Sequence, residues 1–147
     1  MPQYQNILVA IDFSEYGMEV ALKAKQLAEQ FNAPLNVLHV LDNIPIPDTP
    51  YGTVIPLDTV DLTNELLEIE KKKFKQICDQ LNIDPDRRWL IWGEPQHEIT
   101  QTASQEKIDL IIVGSHGHHG LAILVGSTAK GVLYHANCDV LAIHLRD

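Results

Sequence analysis

Apolar side chains recur along this chain in two rhythms. Asn6 to Ile11, Leu35 to Val40, Arg88 to Trp92, Leu110 to Val113 and Val140 to Leu145 are short, nearly unbroken runs. Runs of this kind predict strands covered on both faces, as in a parallel sheet. Between them, apolar positions fall at three- and four-residue steps. Met18, Ala21, Leu22, Ala28 and Phe31 predict a helix from a cap at Ser14 to about Phe31, stopped by Asn32-Ala33-Pro34. Leu62, Leu66, Ile69, Ile77 and Leu81 predict the longest helix, from about Thr59 to Leu81, broken by Asn82 to Pro85. Pro95, after Gly93-Glu94, opens a third that ends near Gln105 to Lys107, and a fourth follows Gly126-Ser127-Thr128.

Strands and helices therefore alternate as β-α-β-α-β-α-β-α-β through one domain, residues 1–147. That order predicts an α/β fold: a single doubly wound, five-stranded parallel sheet with helices on both faces, Rossmann-like. Right-handed crossovers give the strand order 3-2-1-4-5. In such sheets the ligand crevice opens at the carboxyl ends of the strands flanking the reversal, here Ile11-Asp12 and Val113-Gly114. The segment Asp42 to Asp58 holds four prolines and reads as a long loop, a lid, binding loop or disordered connector.

The stretch from Asp109 to Asp139 carries the candidate chemistry. The strand is expected to end at Gly114, and Gly114, Gly117 and Gly120 follow at a spacing of three, before Gly126-Ser127-Thr128 at a helix start. Glycines let main-chain N–H groups converge on one anion, and the first turn of a helix adds unpaired N–H groups and the positive end of its dipole. A phosphate cradle is the expectation, set against a loop that is merely flexible. The dinucleotide fingerprint G-x-G-x-x-G is absent, since these glycines read G-x-x-G-x-x-G late in the chain, and no Gly-Lys-Ser or Gly-Lys-Thr of a P-loop occurs.

A net charge of −9 argues against nucleic acid or an anionic membrane as partner. Lys71, Lys72, Lys73 and Lys75 share a helix with Glu65, Glu68 and Glu70 and read as a solvated face. Cys78 and Cys138, far apart and without C-x-x-C spacing, are expected to be buried small apolar residues. No run reaches the length of a membrane span and the N-terminus lacks the features of a signal peptide, so a cytoplasmic location is expected. His116, His118 and His119 lack a nearby cysteine or carboxylate, so no metal site is predicted. His39 and His144, within strands, are read as structural.

Ile7-Leu8-Val9-Ala10-Ile11-Asp12-Phe13-Ser14, then His39-Val40, Asp109 to Ser115 and Gly126-Ser127 together resemble the universal stress protein family over essentially the whole chain. The resemblance implies a fold like that of the adenine nucleotide alpha hydrolases, a cytoplasmic homodimer and, in many members, bound ATP or AMP, with or without magnesium. It places Ala10, Asp12 and Val40 around the adenine and ribose, and Gly114, His116, Gly117, Gly126, Ser127 and Thr128 around the phosphates. The family pattern G-x2-G-x9-G-[ST] is one residue short here, because only eight residues, His118 to Val125, separate Gly117 from Gly126.

Three functions are consistent with this reading. One is a nucleotide-binding stress-response module, a signalling or protective protein. Another is a slow ATPase, with efficient catalysis not expected because Asp12 is the only acidic residue assigned to the crevice. The last is an interaction scaffold whose shortened cradle holds no nucleotide. For assembly, Val140 to Leu145 is an apolar edge strand, and pairing across a two-fold axis predicts a homodimer through it.

Overall fold

The computed structural model describes residues 4–12, 16–116 and 128–145. Its elements are β1 (Ile7–Ala10), α1 (Gly17–Phe31), β2 (Leu35–Leu41), β3 (Thr53–Val54), α2 (Glu65–Gln80), a 3-10 turn (Pro85–Arg87), β4 (Arg88–Trp92), α3 (Pro95–Gln105), β5 (Leu110–His116), a helical segment over residues 128–135 (α4) and β6 (Asp139–Leu145).

The sheet has six strands in the order β3-β4-β2-β1-β5-β6. Setting β3 aside, the parallel strands run 3-2-1-4-5, with β1 aligned between β2 and β5 (Val9 opposite Val37 and Ile112). The sixth strand corrects the expected five. Within the proline-rich loop, Thr53 and Val54 pair antiparallel with Trp92 and Ile91 of β4, anchored by Gly52 N–H to the Trp92 carbonyl (2.7 Å) and Ile55 N–H to the Leu90 carbonyl (2.7 Å). Two paired residues flanked by prolines carry no alternation that a sequence pattern could register.

Side-chain alternation divides the core. Ile7, Val9, Val37 and Ile112 pack with α1 and α2, through Ala21, Ala24, Phe74 and Cys78. Leu8, Leu38, Ile111 and Val113 pack on the opposite face with Ile99 and Ala103 of α3 and Val132 of α4. The central strands β1, β2 and β5 are therefore buried on both sides, as their unbroken apolar runs require, whereas the edge strand β6 is largely exposed.

The helices differ from expectation in their starts and faces. α1 begins at Gly17 with Tyr16 as cap residue and ends at Asn32, whose left-handed conformation (φ 56°) turns its N–H back to the Ala28 and Glu29 carbonyls. The expected Ser14 cap lies outside the described residues. Val20 and Ala24 join Ala21 and Ala28 in its buried stripe, while Leu22 is exposed. α2 starts six residues later than expected. Asp61 accepts from the Thr63 N–H (2.9 Å) and hydroxyl (2.6 Å), and Asn64 Oδ1 then caps the Leu67 N–H (3.1 Å). Such side-chain bonds offer the backbone an alternative to helix. The buried stripe of α2 is Leu67, Lys71, Phe74 and Cys78, whereas Leu62, Leu66 and Ile69, whose spacing predicted the helix, are exposed. Cys138 is half-buried rather than buried.

Candidate functional site

Where the strand order reverses between β1 and β5, a cavity of about 280 Å³ opens at the carboxyl ends of the strands. β1 and β2 supply one wall through Ala10, Leu38 and Val40, and α3 closes over it with Pro95 and Ile99. The wall is apolar because these positions point to the α3 face of the sheet, where the second core cluster ends. Asp12 stands two residues beyond β1 and also lines the cavity, as do Gly17 at the start of α1 and Thr128 and Ala129 of α4.

Two glycines make close approaches that hold this shape. A Cβ on Gly17 would collide with the Asp12 carbonyl oxygen, so α1 can begin against Asp12 only with a glycine there. The same Cβ position is 3.6 Å from Asp12 Oδ1, which sets the carboxylate beside the positive end of α1. A Cβ on Gly114 would sit 2.9 Å from Val20 Cγ2 and 3.0 Å from Leu145 Cδ1. Gly114, expected from the sequence to end its strand, does not do so. β5 runs on to His116, and Gly114 aligns with Ile143 of β6. Lateral pairing with β6 extends the strand, and the missing side chain lets α1 and β6 approach across it.

His39, read from sequence as structural, lines the cavity. Its Nδ1 lies 2.8 Å from the Ile11 carbonyl oxygen. Because a carbonyl can only accept, Nδ1 carries the proton in that bond. Burial pushes the His39 pKa below its ordinary value, against the raising effect of that hydrogen bond and of nearby carboxylates. Asp42, just beyond β2, is a second carboxylate in the cavity and corrects the expectation that Asp12 stood there alone. Both residues lie at the carboxyl end of the strand beside β1, so the rule that located the crevice could have found them. Pro95 and Ile99 could not be found that way, since only tertiary packing brings α3 over the opening.

Of the residues assigned to the site from sequence, Ala10, Asp12, Val40, Gly114 and Thr128 lie together around the cavity. The His116 backbone completes β5, and its side chain lies outside the described residues. Gly117, Gly126 and Ser127 also lie outside them, as do Gly120, His118 and His119. Among the described residues, no group of three or more His, Cys, Asp or Glu side chains could hold a metal. No helix among them is long and apolar enough to cross a membrane.

Comparison with known proteins adds to this picture. A family model described as the universal stress protein family matches residues 3–144. Universal stress protein A homolog 1 of Coxiella burnetii is 36% identical over 146 residues, spanning 98% of this chain and 99% of the relative. Homolog 2 of the same organism is 37% identical over 147 residues, spanning 99% of each. Among solved structures, the universal stress protein UspA from Lactobacillus plantarum superposes with a TM-score of 0.68 at 33% identity, covering 96% of this chain and 98% of that one. Two more distant structures share the fold. A universal stress protein in complex with cAMP has a TM-score of 0.64 at 21% identity over 96% of this chain and 97% of that one. One from Archaeoglobus fulgidus in complex with dAMP has 0.62 at 23% over 97% and 99%.

Proposed function

The chain belongs to the universal stress protein family, and on that premise we propose that its crevice binds an adenine nucleotide, ATP or AMP. The observation that carries this reading is the cavity at the strand-order reversal, where an apolar slot adjoins the Asp12 carboxylate and the beginning of α1. Such a slot suits a flat base, and a carboxylate beside it can accept hydrogen bonds from two sugar hydroxyls. Relatives with cAMP and dAMP bound support the same ligand class.

In this reading Ala10 and Val40 face the adenine and Asp12 the ribose. Gly114, His116, Gly117, Gly126, Ser127 and Thr128 surround the phosphates, with the start of α4 on their side. The protein acts as a binding module in the stress response, in the cytoplasm, rather than as an efficient enzyme. Slow hydrolysis is the second reading, favoured by Asp42 joining Asp12 in the cavity, since two carboxylates could hold magnesium. The protein functions as a homodimer through β6. That strand is an edge of the sheet with Leu141 exposed, and the preceding α4 exposes Leu133 and Tyr134.

Denatured, desalted protein should release an adenine nucleotide on chromatography, and thermal stability should rise with added ATP or AMP. Ligand at a hundred times its dissociation constant adds about 2.7 kcal/mol. Asp12→Ala should lose most of that gain. Neither nucleotide nor shift would overturn the reading in favour of an interaction scaffold. Phosphate release that vanishes in Asp12→Ala and persists in Lys72→Ala, an exposed control, would favour the ATPase. A monomeric mass at micromolar concentration would refute the dimer.

A further inference from the structure

A second cavity, of about 250 Å³, lies on the other side of α3 from the crevice. Trp89 and Ile91 of β4 line it together with Tyr51, Gly52 and Val54 of the strap carrying β3, which lies beside β4 in the sheet, and α3 lines it from its own side. Two polar side chains of α3 line it one turn apart, Glu98 and Thr102, each only 4% exposed. The two other buried polar side chains among the described residues, Asn36 and Lys71, are hydrogen-bonded within the protein. Neither the Glu98 carboxylate nor the Thr102 hydroxyl makes a hydrogen bond to a described residue.

The backbone N–H groups of the two glycines beside the Glu98 carboxylate are committed elsewhere. Gly52 N–H goes to the Trp92 carbonyl and Gly93 N–H to the Leu41 carbonyl (3.0 Å). Both glycines instead leave room for the carboxylate, since a Cβ on Gly93 would stand 2.6 Å from Glu98 Oε2 and one on Gly52 3.6 Å from Oε1. Burial pushes the Glu98 carboxyl above its usual range. An uncompensated buried carboxylate is costly, and a cation is the partner that removes the cost.

We propose that this cavity is a binding site, separate from the nucleotide crevice, for a small organic cation with a primary ammonium group on a short apolar stem, Glu98 being its counter-ion. An ammonium has three N–H donors and no acceptor, which matches the two Glu98 oxygens and the Thr102 hydroxyl. A single carboxylate balances one positive charge, and no ligand cluster for a metal gathers among the described residues. Val54, Ile91 and Trp89 suit the stem. Tyr51, exposed at the strap, is braced edge-on against Trp92 (5.4 Å between centroids) and offers its ring to the cation. The volume is that of a fragment-sized ligand rather than a nucleotide.

The test is an amide-resolved NMR titration of the full chain with butylammonium chloride through the millimolar range, beside 1-butanol and potassium chloride at matched concentrations. Saturable shifts at residues 51–54 and 98–105 with butylammonium alone are expected. Glu98→Gln should weaken binding about tenfold or more, as loss of a hydrogen bond to a charged group does. Tyr51→Ala, at an exposed position, should weaken it about two- to fivefold. Butylammonium shifts that never saturate, an equal response to 1-butanol, or unchanged affinity in a natively folded Glu98→Gln would overturn the proposal. Should Glu98→Gln not fold, the Tyr51→Ala affinity and the 1-butanol comparison decide.

Discussion

Four lysines crowd one helix, and the fold treats one of them differently. The Lys71 side chain is 5% exposed, and its Nζ donates to the Thr59 carbonyl (2.6 Å) and to Glu68 Oε2 (2.9 Å). Glu68 in turn accepts from the Asp61 N–H (2.9 Å), so the cluster ties the connection before α2 to its first turns. Lys71→Ala removes three buried methylenes at about 0.8 kcal/mol each. A compact unfolded chain lowers that sum to about 1.5–2 kcal/mol. Loss of the donor to the Thr59 carbonyl adds about 1 kcal/mol, and the better helix propensity of alanine returns a few tenths. The expected net loss is about 2.5 kcal/mol, or a fall of roughly 5–10 °C in Tm for a domain of this size. Lys71→Met keeps the stem and should lose only about 1 kcal/mol. Lys72→Ala, at an exposed position, should stay within about 0.5 kcal/mol of the parent. Urea unfolding of the three variants, with the slope checked for constancy, measures all of this. Equal midpoints for Lys71→Ala and Lys72→Ala would refute this account of a buried, hydrogen-bonded Lys71.

Gly17→Ala should destabilise by about 1–3 kcal/mol despite the helix preference of alanine, because the added Cβ meets Asp12 backbone. It should also weaken ATP binding by displacing Asp12, and a variant as stable as the parent in urea would contradict the close approach. Burial holds the His39 pKa below that of the unfolded chain, so the unfolded state takes up its proton first. Stability is therefore lost as pH falls below about 6.5 toward the folded value. His39→Asn should lack this part of the acid sensitivity, and a pH-independent difference in urea midpoint between the two proteins would exclude the assignment. Cys78 is fully buried, with its thiol pushed up to about 12 by that burial. A disulfide reagent at pH 8 should modify it only after denaturant is added, and rapid modification of the native protein would count against this packing.

The exposed faces show how far periodicity reaches. Leu66 and Ile69 of α2, with Leu62 just before it, keep helical spacing as well as Leu67, Phe74 and Cys78 do, so spacing alone cannot choose between two neighbouring stripes. The choice falls to the sheet, which presents Ile7, Val9 and Ile112 to one stripe only. Lys71 then occupies a core position because its long stem can be buried while its head reaches a carbonyl and a carboxylate.

The chain by itself determined which segments become parallel strands, the order in which they lie and the end of the sheet at which a ligand would enter. Those follow from unbroken apolar runs, helical crossovers of fixed hand and the reversal at β1. It also brought Asp12 and Gly114 to that end, because each directly follows a run of buried residues. Only the tertiary structure decided that Gly114 stays within its strand, that His39 and Asp42 join the crevice, and that α3 separates it from a second cavity around Glu98. Those outcomes depend on which surfaces meet. Contact between residues distant in the chain leaves no local period behind, so a carboxylate in a polar stretch of sequence reads as solvated until the elements that bury it are packed around it.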